Sequence, residues 1–332
     1  MLPGLEPFAR DELKNVTGVQ SVDVGRGAVG FRFVGDEARL SGLRSVVAVY
    51  KLVHFEVPRP KALLGHEHLS RLAAAVAALG EREAFGSFRL SAAGSDSAVY
   101  TRLTELLAEA TGLPHLPDEG ELLVRVRRAQ AGGDGRAGWV VLLRLTPRPL
   151  SARPWRVCNL AGGLNAGVAA AMLELAAVGP GDRVFNPMCG SGTLLIEQGL
   201  KLRPARLLGC DLDPEALACS ARNLEAADLN GAELLAVDAV DTGLEAASIE
   251  VIVTDPPWGD ALGSHTGNAE LYPALLREAA RVAAPGARFV LLTHELRLLE
   301  RVLRAQRTWR VLERFSVFHG GHNPHLYLLS AE

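Results

Sequence analysis

The sequence predicts an α/β chain whose C-terminal half is a mostly parallel, doubly wound sheet closed by a terminal antiparallel hairpin, preceded by two smaller α+β units. Three observations predict it. After Ala166, strand-like runs alternate with helical stretches of ten or more residues. The last two runs are separated only by the turn Gly320-Gly321-His322-Asn323. Before residue 150, two sets of short elements are divided by Pro58-Arg59-Pro60 and closed by Pro147, Pro149 and Pro154.

In order along the chain, Ala9, Leu13 and Val16 fall on one helical face. The runs Gln20–Val24 and Ala28–Val34 flank a turn at Gly25–Gly27 and read as strands. A helix is expected over Asp36–Ser45 and a strand over Val46–Val57, which completes a unit over residues 1–60. In the second unit, residues 61–147, His66–Leu79 and Thr101–Thr111 read as helices, the latter stopped by Gly112 and Pro114. Ser87–Ala92 reads as a strand, and Glu121–Arg128 with Gly138–Thr146 as a hairpin across Gly132-Gly133-Asp134-Gly135. Residues 148–165 form a linker. In the third unit, residues 166–332, the strands are Arg183–Asn186, Leu207–Cys210, Leu234–Val237, Val251–Thr254, Arg288–Thr293, Val311–Val317 and His325–Leu329, with helices between the first five.

The net charge of −3 carries no global sign of a polyanion partner, although the first half is slightly basic and the second acidic. Cys158, Cys189, Cys210 and Cys219 form no Cys-x-x-Cys pair or zinc spacing, so free thiols are expected and no metal. The N-terminus has neither a basic nor an apolar leader segment. The apolar stretch Leu160–Val178 contains Asn165 and Glu174 and reads as a buried helix, so a soluble, cytoplasmic chain without membrane contact is expected.

Two motifs carry chemistry. Asn186-Pro187-Met188-Cys189-Gly190-Ser191-Gly192-Thr193 follows a strand and opens a helix. Its glycines permit tight turning and close ligand approach beside free helix N–H groups. A dinucleotide site wants a third glycine where Leu195 stands, and a phosphate-binding P-loop wants Gly-Lys-Ser/Thr, which is absent. The remaining reading is a methyl-donor site. Asp211 ends the next strand, where a carboxylate accepts from ribose hydroxyls, and Asp238 ends the third, where it accepts from an adenine amine. Taken singly, each Asp also suits a helix cap or loop; Asp213 before Pro214 reads as such a cap, and Asn165 suits either a cap or the cofactor carboxylate.

The second motif is Val251-Ile252-Val253-Thr254-Asp255-Pro256-Pro257-Trp258-Gly259. The prolines stiffen the loop and remove donors. Asp255 and the Pro256 carbonyl then accept from an exocyclic amine, Pro257 holds the turn, and Trp258 offers a stacking face. The amine lone pair is delocalised, so two acceptors on its hydrogens aim it at the methyl group, and Asp255 takes the released proton. A paired base must flip out to reach such a site. His265, His294, His319, His322 and His325 carry no motif, although His319–His325 falls at the expected substrate edge.

Asn-Pro-Met-Cys-Gly-Ser-Gly-Thr, Gly-Cys-Asp-Leu-Asp-Pro and Asp-Pro-Pro-Trp-Gly resemble the Rossmann-like class I methyltransferases that modify guanine N2 in RNA. The start Pro-Gly-Leu-Glu-Pro-Phe-Ala-Arg-Asp-Glu-Leu, the run Ala108–Pro114 and the linker Leu150–Val157 resemble members with ferredoxin-like and THUMP domains, specifically tRNA enzymes acting near the acceptor stem. The resemblance implies S-adenosylmethionine as cofactor, RNA (above all tRNA) as partner, and a monomer. It implies cofactor contacts along Asn186, Pro187, Cys189, Gly190, Ser191, Gly192, Thr193, Asp211, Leu212, Asp238 and Ala239, and a catalytic tetrapeptide Asp255–Trp258. The family pattern has an acid where Asn186 stands, Tyr or Phe where Trp258 stands, and basic residues where Ser91–Ser97 has none. Arg125, Arg127, Arg128, Arg144, Arg148 and Arg153 are the alternative phosphate contacts. Ribosomal RNA or adenine N6 as target, or an RNA-binding protein without catalysis, are the other readings.

Overall fold

The computed structural model describes all residues except 82, 130–136, 259–264 and 319–320. The expected Gly132–Gly135 turn, Gly259, His319 and Gly320 lie outside the described residues, as does the side chain of His265.

Helix α1 (Glu6–Lys14) leads into the hairpin β1 (Val19–Gly25) and β2 (Ala28–Phe33). Ala9 and Leu13 of α1 are buried with Leu40, Leu43, Val46 and Val49. The helix expected over Asp36–Ser45 is only a 3-10 turn, Glu37–Gly42, capped by the Asp36 carboxylate at Ala38 N. Ser41 and Gly42 are poor helix formers, and so short a piece tightens readily.

The strand expected to complete this first unit joins the second instead. β3 (Tyr50–Phe55) is followed by α2 (His66–Gly80), β4 (Phe88–Ala92), α3 (Ala98–Thr111), β5 (Leu122–Arg128) and β6 (Trp139–Arg144). The four strands form a sheet in the order β3-β6-β5-β4, with β3 antiparallel to β6. Val53 and Phe55 are buried there with Phe88, Leu122 and Val141. The mostly exposed hairpin β1–β2 offers them no comparable core.

The third unit comprises α4 (Ala166–Ala176), β7 (Arg183–Pro187), α5 (Thr193–Lys201), β8 (Arg206–Cys210), α6 (Pro214–Ala226), β9 (Ala232–Leu235), β10 (Ile249–Thr254), α7 (His265–Val282), β11 (Ala283–Thr293), α8 (Leu296–Arg304), β12 (Trp309–Ser316) and β13 (His325–Ala331). Its seven strands run β12-β13-β11-β10-β7-β8-β9. β9, β8, β7, β10 and β11 are parallel, and β13 is antiparallel to β11 and β12, as the expected terminal hairpin requires. Two expectations fail. The described residues 236–248 contain no helix, and α8 precedes β12, where no helix was expected. The order reverses between β7 and β10, which opens a crevice at their carboxyl ends.

The N-terminal segment packs onto this sheet. Leu5 and Phe8 share a core with Val168, Met172 and Val317, and the Phe8 and Phe315 rings lie 5.2 Å apart. Arg44 and Arg153 both meet the buried Glu197 of α5, at 2.7 and 2.8 Å.

Cys158 and Cys219 are joined by a disulfide with Cα atoms 5.5 Å apart, against the expectation of free thiols. Asn223 holds the linker against α6 by accepting from Cys158 N and donating to its carbonyl, which brings together cysteines 61 residues apart. Cys189 and Cys210 are free and buried. Among the described residues, no helix is long and apolar enough to cross a membrane, and no His/Cys/Asp/Glu group is arranged for a metal.

Candidate active site at the carboxyl edge of the large sheet

β7 buries Val184 and Phe185 and ends at Pro187, which has no N–H to extend the ladder. The loop then turns through positive φ at Met188 (54°), Gly190 (54°) and Gly192 (78°). A Cβ on Gly192 would lie 2.3 Å from Ser220 Oγ, so only glycine packs there. A Cβ on Gly190 would meet nothing within 4 Å, so the backbone is open at that point. Gly190 N donates to Asp211 Oδ2 at 2.9 Å, tying the loop to the end of β8. Asp211 Oδ1 accepts from Asp213 N at 3.0 Å. Each oxygen keeps a second lone pair for a ligand hydroxyl. Leu212, beside it, is 67 % exposed, an apolar surface at the mouth of the crevice. Asp238 follows β9, half-buried, and its Oδ1 accepts from Val240 N at 3.1 Å, while Ala239 is buried. Open backbone at Gly190, a carboxylate with free lone pairs and an exposed leucine fit a nucleoside ligand lying along these three strand ends.

Other expected contacts face elsewhere. Asn186 is buried, and its amide donates to the carbonyls of Val253 (2.8 Å) and Pro187 (3.2 Å), bracing β7 against β10. Its side chain is a strut, which suits an amide better than an acid, because carbonyls need donors. Pro187 is buried, as are the side chains of Cys189, Ser191 and Thr193. Thr193 Oγ1 accepts from Arg156 Nη2 at 2.9 Å, and Ser191 O accepts from Asn223 Nδ2 at 3.0 Å. Burial raises the Cys189 thiol far above its ordinary range, so it stays protonated. These residues shape the loop from beneath. Asn165 caps α4 through Gly167 N at 2.9 Å and is not at the crevice by this contact.

The β-branched run of β10 suits a central strand buried on both faces. It delivers Asp255, Pro256, Pro257 and Trp258 to the same edge as Gly190, because β7 and β10 are parallel neighbours. Thr254 Oγ1 donates to Pro187 O at 2.6 Å, so the two loops share one root. Asp255 is half-buried, and desolvation pushes its carboxyl up to about 7. Trp258 packs partly on the sheet core, with its ring centroid 5.2 Å from that of His294.

Sequence reasoning assigned no role to Asn223 and Arg156, which hold the Gly190 loop, or to His294, and placed His322 only within the His319–His325 stretch at the substrate edge; the His294 and His322 rings stack 5.4 Å apart beside Trp258. No motif marks them, since each acts through a distant neighbour. Two expected phosphate contacts are structural instead. Arg144 is buried and donates to the carbonyls of Glu121, Thr146 and Pro147, and Arg153 pairs with Glu197. Arg125, Arg127, Arg128 and Arg148 remain exposed.

Residues 153–325 match the family model described as RMKL-like, methyltransferase domain. Over 98 % of its length the chain is 34 % identical to the tRNA (guanine(6)-N2)-methyltransferase of Thermus thermophilus, covering 97 % of that protein. It is also 34 % identical to mouse tRNA (guanine(6)-N(2))-methyltransferase THUMP3 over 50 % of this chain and 36 % of that one. The crystal structure of TrmN from Thermus thermophilus superposes with a TM-score of 0.79 at 29 % identity, over 100 % of this chain and 98 % of that chain.

Proposed function

We infer the reaction from a premise that those similarities establish: the chain belongs to the RMKL-like methyltransferase family and, within it, to the tRNA guanine-N2-methyltransferases. It is an S-adenosylmethionine-dependent enzyme that methylates the exocyclic N2 of a guanine in tRNA. The carrying observation is the common root of the Gly190 loop and the Asp255 loop at the ends of β7 and β10. We propose guanine 6 as the target, because the relative matched over nearly its whole length is named for that position.

The cofactor supplies an electrophilic methyl group on a positively charged sulfur. Asp211 would hold its ribose, Asp238 its adenine amine, and the open backbone at Gly190 its methionine part. Asp255 and the Pro256 carbonyl accept from the guanine amine and hold its lone pair in line. As the methyl group passes from sulfur to nitrogen and the thioether leaves, the nitrogen would shed one proton, which Asp255 would accept. Trp258 stacks on the base, which has left its helix. The segment that precedes β3 and the four-stranded unit that runs from β3 to β6, with the 148–165 linker, would form the ferredoxin-like and THUMP units that grip the acceptor end. Arg125, Arg127, Arg128 and Arg148 supply phosphate contacts there. We take the enzyme to act as a monomer in the cytoplasm, where its substrate is.

Incubation with labelled S-adenosylmethionine and unmodified tRNA, followed by nucleoside analysis, should yield N2-methylguanosine, mapped to position 6 by mass spectrometry. A methylated adenine, or no product from cofactor-loaded protein, would overturn this reading. In calorimetric titration, Asp211→Ala should lose cofactor binding by at least ten-fold, since both a charge-assisted ligand contact and the anchor of Gly190 disappear. Unchanged affinity would remove Asp211 from the cofactor site.

A further inference from the structure

We propose that His294 and His322 extend the stacking face of Trp258 and hold the nucleotide next to the flipped guanine. The three rings come from three neighbouring strand ends. Trp258 follows β10, His294 follows β11, and His322 lies in the turn before β13. β10 is parallel to β11, and Thr293 stands opposite His325 across β11 and β13. The rings therefore make a row along the edge where the crevice opens. Trp258 and His294 have centroids 5.2 Å apart at 53°, and His294 and His322 are 5.4 Å apart at 20°, a stacked pair.

A structural role explains this row poorly. His322 is exposed, so it fills no core. What the row offers is a run of rings that leads away from the reacting base and ends at the exposed His322, the ring left open to a further base. When a guanine leaves its helix, its neighbour loses a stacking partner, at a cost of a few kcal/mol per unstacked step. A histidine ring replaces that partner without reading the base, as aromatic and histidine rings do for splayed RNA bases. Phe318, in the same turn and 43 % exposed, extends the apolar character of this edge. The ligand class is thus a nucleobase flanking the target, bound with little sequence preference.

The inference rests on the tRNA reading above, and the test separates the two. Methylation kinetics, with Kd for fluorescein-labelled tRNA and for S-adenosylmethionine, are measured for the whole chain. His322→Ala should raise Kd and KM for tRNA about ten-fold, as loss of one stacked base does, with cofactor affinity unchanged. His322→Phe should restore both, because it keeps a π-face without a proton or hydrogen bond. His294→Phe should likewise outperform His294→Ala. An unchanged tRNA Kd in His322→Ala, or equal losses in His322→Ala and His322→Phe, overturns the proposal. If the wild-type chain binds tRNA without methylating it and His322→Ala still weakens binding, the stacking row stands and the reaction reading falls. No tRNA binding by the wild-type chain overturns both.

Discussion

Asp255→Ala lowers kcat on tRNA by about 10²–10⁴-fold, the usual contribution of a positioned proton acceptor, and leaves S-adenosylmethionine affinity unchanged. Asp255 follows β10, whereas Asp211, which anchors Gly190, follows β8, so loss of Asp255 affects chemistry more than cofactor binding. Asp255→Asn keeps one acceptor for the amine but cannot take the proton, so it falls between wild type and alanine. The pH profile gives an independent check. Desolvation pushes the carboxyl from an ordinary value near 3.8 up to about 7, and only the ionised form accepts a proton. kcat/KM therefore rises with pH with its midpoint at or below about 7, because a neighbouring positive charge draws the value down once the cofactor is bound. The sign for stability is opposite. The folded value is raised, so this carboxyl favours the folded, cofactor-free protein most in acid, and that contribution is lost as pH rises through about 7. Asp255→Asn should then melt higher than wild type at pH 8, with the difference vanishing toward pH 4. A rising limb of the rate profile that survives in Asp255→Asn would assign the proton acceptor elsewhere.

Glu197→Ala destabilises the fold by about 3–5 kcal/mol in urea unfolding, the scale of removing one member of a buried ion pair. The Glu197 side chain has no exposed surface and takes Arg44 from the N-terminal unit and Arg153 from the linker. Arg153 Nη2 also donates to Arg44 O at 2.8 Å, so one carboxylate joins three stretches of chain. Alanine leaves two guanidinium groups facing each other without an anion. The triple substitution Arg44→Met, Glu197→Leu, Arg153→Met should recover most of the loss, because apolar residues of similar volume can replace a buried ion network. Recovery in the triple variant with a raised KM for tRNA would assign the network to the angle between units. A loss under 1 kcal/mol in Glu197→Ala would show that water reaches the site.

The conformations of the Gly190 and Asp255 loops were legible because their constraints are local. Glycine at 192 answers a backbone conformation, and two prolines after Asp255 stop a ladder; neither needs a distant partner to be inferred. The parallel order followed from alternating strand and helix periods. By contrast, Asn186 lay inside the right motif, yet its role depended on which carbonyl of β10 came within 2.8 Å. Arg144 and Arg153 read as phosphate contacts for the same reason: an arginine's partner is not written beside it.

What the sequence determined by itself is therefore the conformation of short segments and the edge to which they lead, since φ preferences, missing donors and side-chain periodicity act within a few residues. Tertiary structure alone decided that β3 leaves the first unit, that Cys158 meets Cys219, that Glu197 unites two arginines and that three rings line up from Trp258 to His322. Each of these is a competition among distant partners for burial, hydrogen bonds or charge. Its winner is set by the packing of the whole chain.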